Sequence, residues 1–331
     1  MRLTLSGQAF ELSPGESVLD GLARNGVGLP AACRAGVCHA CLLRAVHGDP
    51  GPPSQAGLKS SWQADGYFLA CLARPAADLT IALTGEEILA DAVVAAVRPI
   101  GAGVIRVLIR PRRPVPFRAG QHLALCRDGG VARVYSIANT PLEAASDGIE
   151  FHVRVYPDGA MSPWLAAAAP GTRLRIGQPS GDCCYLPGQP DGPLLLAGTG
   201  TGIAPLAAVL RDALRHGQAG PAVLIHGAAD RSGLYLGTSQ PDLRTCQPGP
   251  RTSQPGCGPP APVRWRTCVQ SAGADIAAVA SEELARLGDP GAVRAYLCGG
   301  RRSVTRMRRA LFLAGMSLKN ICADEFTQAG S

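Results

Sequence analysis

Three cysteines, Cys33, Cys38 and Cys41, fall in the spacing C-x4-C-x2-C, and a fourth, Cys71, follows further along. This pattern constrains the chain more than any other. Three thiolates on one loop can wrap two irons while a distant fourth clamps the far side, the ligand pattern of a [2Fe–2S] cluster. Ala35, Gly36 and Ala40 are small, so backbone amides can approach the cluster sulfurs and stabilise its negative charge. The potential expected of such a cluster is about −400 mV. A zinc site usually shows two close ligand pairs, which this spacing lacks. A Rieske centre needs two histidines in place of two cysteines. His39 lies inside the loop but replaces none.

The remaining cysteines have no such pattern. There are 12 cysteines in 331 residues, so this is not a short, disulfide-dense secreted domain. The first residues, Met1 to Phe10, lack the apolar core of a signal peptide,. A reducing cytoplasm is therefore the expected compartment. Cys183 and Cys184 adjoin each other without a partner pair. Cys246, Cys257 and Cys268 have no histidine at zinc spacing, and neither they nor Cys126 and Cys322 are assigned a metal.

The length suggests two or three domains. Charged residues make up 17% and apolar residues 46%, which excludes a disordered chain. The net charge is +7, yet the first 85 residues are neutral, so the whole excess lies behind them. The basic part lacks a nucleic-acid-reading motif or interleaved aromatics, and no nucleic-acid partner is expected. The arginines Arg301, Arg302, Arg306, Arg308 and Arg309 read as a solvated helix face,. The uncharged run 192–210 is long enough to cross a bilayer. Its two prolines and four glycines fit a strand, a glycine turn and a helix start better, so no membrane span is expected.

Three blocks follow one another. In the first, 1–86, a short hairpin turns at Ser6-Gly7-Gln8 and a helix is expected over 16–25, ahead of the cysteine loop. The second, 90–187, holds many short alternating strands, as in Phe151-His152-Val153-Arg154-Val155-Tyr156, and predicts an antiparallel β-barrel,. The third, 188–331, alternates strand and helix, with helices expected over 203–216, 274–287 and 303–314, and predicts a parallel α/β sheet,. The segment 237–262 interrupts this rhythm. It is rich in Pro, Gly, Gln and Thr and repeats Thr-Ser-Gln-Pro, so it is expected to be a surface loop,.

Two further motifs bear chemistry. On a predicted strand, Arg133-Val134-Tyr135-Ser136 places Arg133 and Tyr135 on one face,. A guanidinium offers a phosphate a charged fork, and a neighbouring tyrosine can cover a flat ring. Gly159-Ala160-Met161-Ser162 precedes a plausible helix start, where amides bind phosphate,. Later, Gly198-Thr199-Gly200-Thr201-Gly202 joins a buried strand to a helix, a cradle for a diphosphate,. His226 to Arg231 follows the next strand, where a ribose should lie. Asp230 there favours the free hydroxyls of NADH, although Arg231 argues the other way,.

Ala32-Cys33-Arg34-Ala35-Gly36-Val37-Cys38 resembles the cluster loop of plant-type ferredoxins, which implies a β-grasp fold. With the later motifs in this order, the chain resembles the ferredoxin-NADP reductase superfamily, and within it the reductase components of bacterial oxygenases. The resemblance implies that Arg133 binds the flavin diphosphate, Tyr135 packs on the isoalloxazine and Ser136 lies near flavin N5. It also implies that Gly159, Ala160, Met161 and Ser162 hold the FAD diphosphate. Tyr296-Leu297-Cys298-Gly299-Gly300 resembles the motif that sets a cysteine, here Cys298, beside the nicotinamide. Most relatives carry proline where Gly300 stands. Phe326 resembles the C-terminal aromatic that covers the flavin.

The expected cofactors are therefore a [2Fe–2S] cluster on Cys33, Cys38, Cys41 and Cys71, together with FAD and NADH. A hydride carries two electrons and the cluster accepts one at a time, so a flavin must lie between them. The expected partner is an oxygenase or another electron-accepting protein. The same parts would also serve a reductase for a non-oxygenase partner, or a redox sensor.

Overall fold

The computed structural model describes residues 1–58, 60–83, 89–101, 103–185, 190–236 and 262–326. The expected loop 237–262, except Pro262, lies outside the described residues with its Cys246 and Cys257, as does the tail 327–331.

In the first sheet, β1 (Arg2–Leu5) and β2 (Gln8–Glu11) form a hairpin whose turn residues Ser6 and Gly7 both take positive φ. That twist matches the flanking strands. Helix α1 (Val18–Arg24) starts at Ser17, whose hydroxyl accepts the Asp20 amide at 3.1 Å,. Its Val18, Leu19 and Leu22 enter a core with Leu3, Phe68 and Leu79. After the cysteine loop come β3 (Leu42–His47), the short α2 (Ser60–Ala64), β4 (Tyr67–Leu69) and β5 (Leu79–Leu83). The strand order is β2-β1-β5-β3-β4, a mixed sheet crossed by one helix, as the β-grasp reading requires. Leu42 pairs with Leu69 at one end of the β3–β4 ladder, and Cys41 and Cys71 meet just beyond that end.

The second sheet is antiparallel throughout. It comprises β6 (Ala90–Gly101), β7 (Val104–Pro111), β8 (His122–Cys126), β9 (Ala132–Ser136), β10 (Ile149–Arg154) and β11 (Arg173–Ile176), in the order β10-β7-β6-β11-β8-β9. A bridge between Ile137 and Phe151 brings the two ends of that order together and closes the barrel,. Helix α3 (Pro141–Asp147) enters with a capping box of Thr140 and Glu143,, and α4 (Ser162–Ala167) follows β10.

The third sheet is parallel, in the order β14-β13-β12-β15-β16. Its strands are β12 (Leu194–Thr199), β13 (Ala222–Ala228), β14 (Val263–Val269), β15 (Arg294–Gly300) and β16 (Ile321–Phe326). The helices are α5 (Ile203–Arg215), α6 (Ile276–Leu287) and α7 (Arg301–Leu313). They end within two residues of the expected bounds. Periodicity did not isolate β14 or β16. Both are edge strands whose half-buried residues lack a clean alternation.

Candidate functional site

The cysteine loop turns through Arg34 and His39, both at positive φ despite their side chains. This curls the backbone so that the amides of Ala35, Val37 and Cys38 all point at Cys33 Sγ, each at 3.4 Å. The thiols meet in two pairs. Cys33 accepts from Cys38, and this bond, with the amides, lowers its pKa to about 5. Cys71 accepts from Cys41, which lowers its pKa as well. Among the described residues no three His, Cys, Asp or Glu side chains gather around a single ion. Two thiol pairs fit two irons, whereas one tetrahedral zinc needs a single set of four. The edge of His39 rests on the Trp62 ring, with centroids 6.2 Å apart.

One side of this loop is pressed onto the barrel. Ala32, Cys38 and Ala40 are packed with Ala124 and Cys126 of β8 and Ala132 of β9. Ala31 also bridges to Val131. Pairing of β8 with β9 sets Ala124 opposite Val134 and Cys126 opposite Ala132 on this outer face. The inner face carries Leu123 opposite Tyr135 and Leu125 opposite Arg133. Strand β9 thus shows the cluster loop one face and its arginine and tyrosine the other. Burial raises the Cys126 thiol to about 12, so it sits there as an inert small side chain,.

Arg133 gives one hydrogen bond, to the Ala132 carbonyl at 2.7 Å, and among the described residues no carboxylate pairs with it. Tyr135 is half-buried against the barrel core that also holds Met161 and Leu165. An uncompensated guanidinium beside a tyrosine is a donor set that suits a diphosphate joined to a flat ring. Met161 is buried in that core. The Ser162 hydroxyl accepts the Tyr156 amide at 3.0 Å and so is occupied within its own turn. Of the four residues Gly159–Ser162, Gly159 and Ala160 are the ones open to solvent, whereas Met161 and Ser162 are buried.

Ser136 is reached from two sheets. Its hydroxyl donates to Asp324 Oδ2 at 3.2 Å and also meets the Cys298 thiol. Asp324 and Cys298 are register partners on β16 and β15. His122, the cross-strand partner of Ser136, sets Nδ1 3.5 Å from the same Asp324 oxygen. Cys298 is only 1% exposed, and burial raises its pKa well above the usual thiol value. It therefore sits behind Ser136 rather than on an open wall.

The glycine turn and the strand end beside it enclose a cleft of about 760 Å³, lined by Thr199, Gly200, Thr201, Asp230, Ser303 and Phe326, with Arg154 and Tyr156 entering from the barrel. A Cβ on Gly202 would stand 2.4 Å from the Cys298 carbonyl oxygen, and one on Gly299 2.1 Å from Thr199 Oγ1. These glycines let two strand ends pack backbone to backbone. Gly200, at φ +55° with open space beside it, faces the cleft,. Asp230 is exposed and accepts the Ser232 hydroxyl and the Gly233 amide. Phe326 packs on the core that contains Cys298 while lining the cleft.

Residues 3–76 match the family described as 2Fe-2S iron-sulfur cluster binding domain, and residues 106–185 the oxidoreductase FAD-binding domain. The reductase subunit of an aromatic O-demethylase from Amycolatopsis sp. is 35% identical over 247 residues, 70% of this chain and 73% of that one. The chain belongs to the iron–sulfur flavoprotein reductases, the ferredoxin-type reductase components of oxygenase systems. It is an oxidoreductase that works with NAD(P)H, FAD and a [2Fe–2S] cluster. A terephthalate 1,2-dioxygenase reductase component from Comamonas sp. is 31% identical over 69% of this reductase and 70% of its own length. The naphthalene 1,2-dioxygenase reductase component of Pseudomonas putida is 28% identical over 98% of both chains. The Amycolatopsis cytochrome P450 reductase GcoB superposes over 99% of both chains at a TM-score of 0.62 and 29% identity. Among the described residues of this reductase, no helix is long and apolar enough to cross a membrane.

Sequence reasoning left three residues of this reductase without a role: Asp324, His122 and Cys126. Asp324 lies two residues before Phe326, but only the strand register and the packing of the two sheets show it facing Ser136. A signal for Cys126 was available. All of His122–Cys126 is buried. An unbroken apolar run in an antiparallel barrel strand implies that its outer face is covered too.

Proposed function

We propose that the chain carries electrons from NADH through FAD to its own [2Fe–2S] cluster, and on to the oxygenase component of an aromatic or hydrocarbon mono- or dioxygenase. One observation carries this reading: β9 holds the flavin-type pair Arg133 and Tyr135 on its inner face and the cluster loop on its outer face. When bound, FAD supplies the conversion of a two-electron hydride into single electrons, and the cluster takes them in turn. The modules divide at 1–86 for the cluster, 90–187 for FAD and 188–331 for the nicotinamide dinucleotide. Soluble partners and a reducing cytoplasm suit them.

The chain's own residues bind, orient and handle protons. Cys33 and Cys38 hold one iron and Cys41 and Cys71 the other. Arg133 and the backbone of Gly159–Ser162 hold the flavin diphosphate, and Tyr135 and Phe326 cover its ring. Gly198–Gly202 and Gly299 shape the dinucleotide cradle, and the free carboxylate oxygen of Asp230 takes the ribose hydroxyls and so favours NADH. Cys298 buttresses Ser136 from behind. A hydride brings one proton with its two electrons, and the cluster takes only electrons, so one proton per NADH must leave. Ser136 and then Asp324, itself partly open to solvent, form the route.

The substitution Cys33→Ser tests the division of labour. Transfer to cytochrome c or to an oxygenase should vanish while NADH-driven reduction of ferricyanide continues. Equal loss of both activities counts against it.

A further inference from the structure

We propose that Tyr235 and His152 latch the nicotinamide-binding sheet to the flavin barrel and so act as positioning residues for hydride transfer. The inference rests on the reading of the cleft as the nicotinamide dinucleotide site. Tyr235 follows β13 and the short turn Arg231–Gly233, whereas His152 belongs to β10 of the barrel. The Tyr235 hydroxyl lies 3.0 Å from His152 Nδ1. His152 Nε2 lies 2.8 Å from Glu150 Oε1, and the other Glu150 oxygen accepts from Arg106 at 2.5 Å.

The proton ledger closes along this chain. If the phenol donates to Nδ1, the imidazole proton sits on Nε2 and donates to Glu150, leaving no group unmatched. The Tyr235 ring is held edge-on between two imidazoles, His152 at 5.5 Å and His226 at 5.6 Å between centroids. His226 is fully buried on β13, opposite Gly198 of the cradle, and among the described residues neither of its ring nitrogens has a hydrogen-bond partner. The line Arg106–Glu150–His152–Tyr235–His226 therefore runs from the barrel to the floor of the cradle turn.

A second tie lies on the other flank. Arg211 of α5 donates to Glu143 at 3.0 Å and to the Ala138 carbonyl at 2.9 Å, and Arg215 donates to the Thr140 hydroxyl at 2.9 Å. Helix α5 grows out of the cradle, so its far half is fastened to the barrel by charge. Losing the Tyr235 hydroxyl leaves this tie in place and frees the sheet to pivot about it. Strand β10 and the segment after it also supply Arg154 and Tyr156 to the cleft wall, so the pivot changes the distance between the cradle and that wall.

The test is Tyr235→Phe in the full-length, FAD-loaded protein, which keeps the ring and removes only the hydroxyl. Single-turnover bleaching of the flavin by saturating NADH should slow about tenfold, because a misplacement well below 1 Å already costs that much. The NADH dissociation constant should change less than about twofold, the signature of lost orientation rather than lost binding. The long-wavelength nicotinamide–flavin absorption should weaken. Without NADH, amide hydrogen exchange in β10 and β13 should quicken. His152→Leu should reproduce all of this, and His152→Gln, which can accept from the phenol and donate to Glu150, should restore the rate. Wild-type bleaching in Tyr235→Phe, or a change confined to the dissociation constant, overturns the latch. Failure of NADH to bleach the wild-type flavin would instead overturn the reading of the cleft.

Discussion

Ser136 and Asp324 meet at 3.2 Å across 188 residues of chain, one from the barrel and the other from the last strand of the parallel sheet. Neither sheet alone holds this pair. It forms only when the two pack together, and His122 steadies the carboxylate from below. His122 is itself confined, since a Cβ on Gly181 would stand 2.9 Å from its ring. We therefore expect Asp324→Ala to lower turnover on the order of 10²-fold, the usual worth of a positioned proton acceptor. Bound FAD per chain should be unchanged, because no diphosphate contact is touched. Wild-type steady-state turnover in this variant would remove Asp324 from the proton route.

The seam between the cluster loop and the barrel is built from Ala32, Ala40, Ala124, Cys126 and Ala132, with Cys38 within it. Small side chains let the two backbones approach closely. Ala132 is fully buried there, so Ala132→Leu overpacks the seam and should destabilise the fold by about 1–3 kcal/mol. It should also slow electron passage from flavin to cluster, because the loop has to move outward. Ferricyanide reduction, which bypasses the cluster, should keep its rate. Rapid-mixing spectra that follow flavin and cluster bands separately would show whether only the second step changes.

Much of this architecture was legible in the residues. The C-x4-C-x2-C loop, the Arg133–Ser136 strand and the Gly198–Gly202 turn are local patterns whose chemistry depends on near neighbours. What escaped was set by register between distant strands. Asp324 meets Ser136 because β16 pairs with β15 and the third sheet docks on the barrel, and no periodicity encodes that. Cys298 was expected beside the nicotinamide; its side chain is buried in the core that also holds Cys183 and Ile203, with Ser136 next to the thiol. Gly159–Ser162 were expected to hold a diphosphate through amides at a helix start, and the Ser162 hydroxyl is drawn into its own turn by the Tyr156 amide. Short-range hydrogen bonding of this kind competes with ligand binding and is invisible in a motif.

Asp230 opens an exposed carboxylate oxygen toward the cleft, while its other oxygen is fixed by Ser232 and Gly233. A second phosphate on the ribose would meet this negative charge directly. Asp230→Ser removes the repulsion and keeps a hydroxyl to cap the turn. The ratio of kcat/KM for NADPH to that for NADH should rise by about tenfold. An unchanged ratio would place coenzyme choice elsewhere, with Arg231 the next residue to vary.

Acid stability should reflect the latch. Burial alone would raise Glu150, but hydrogen bonds from His152 and Arg106 outweigh it and hold its pKa at about 2, below the ordinary 4.5. Burial lowers His226 to about 4 from 6.5. In both cases the unfolded chain binds more protons than the folded one between the two values, so stability rises with pH across each window. On acidification, the contribution of neutral His226 should be lost between pH 6.5 and 4, and that of ionised Glu150 between pH 4.5 and 2. Urea midpoints measured across this range should fall in two overlapping limbs. His226→Leu should flatten the upper limb and Glu150→Gln the lower one. A Glu150→Gln profile parallel to wild type below pH 4.5 would show that the carboxylate is not held ionised by its partners.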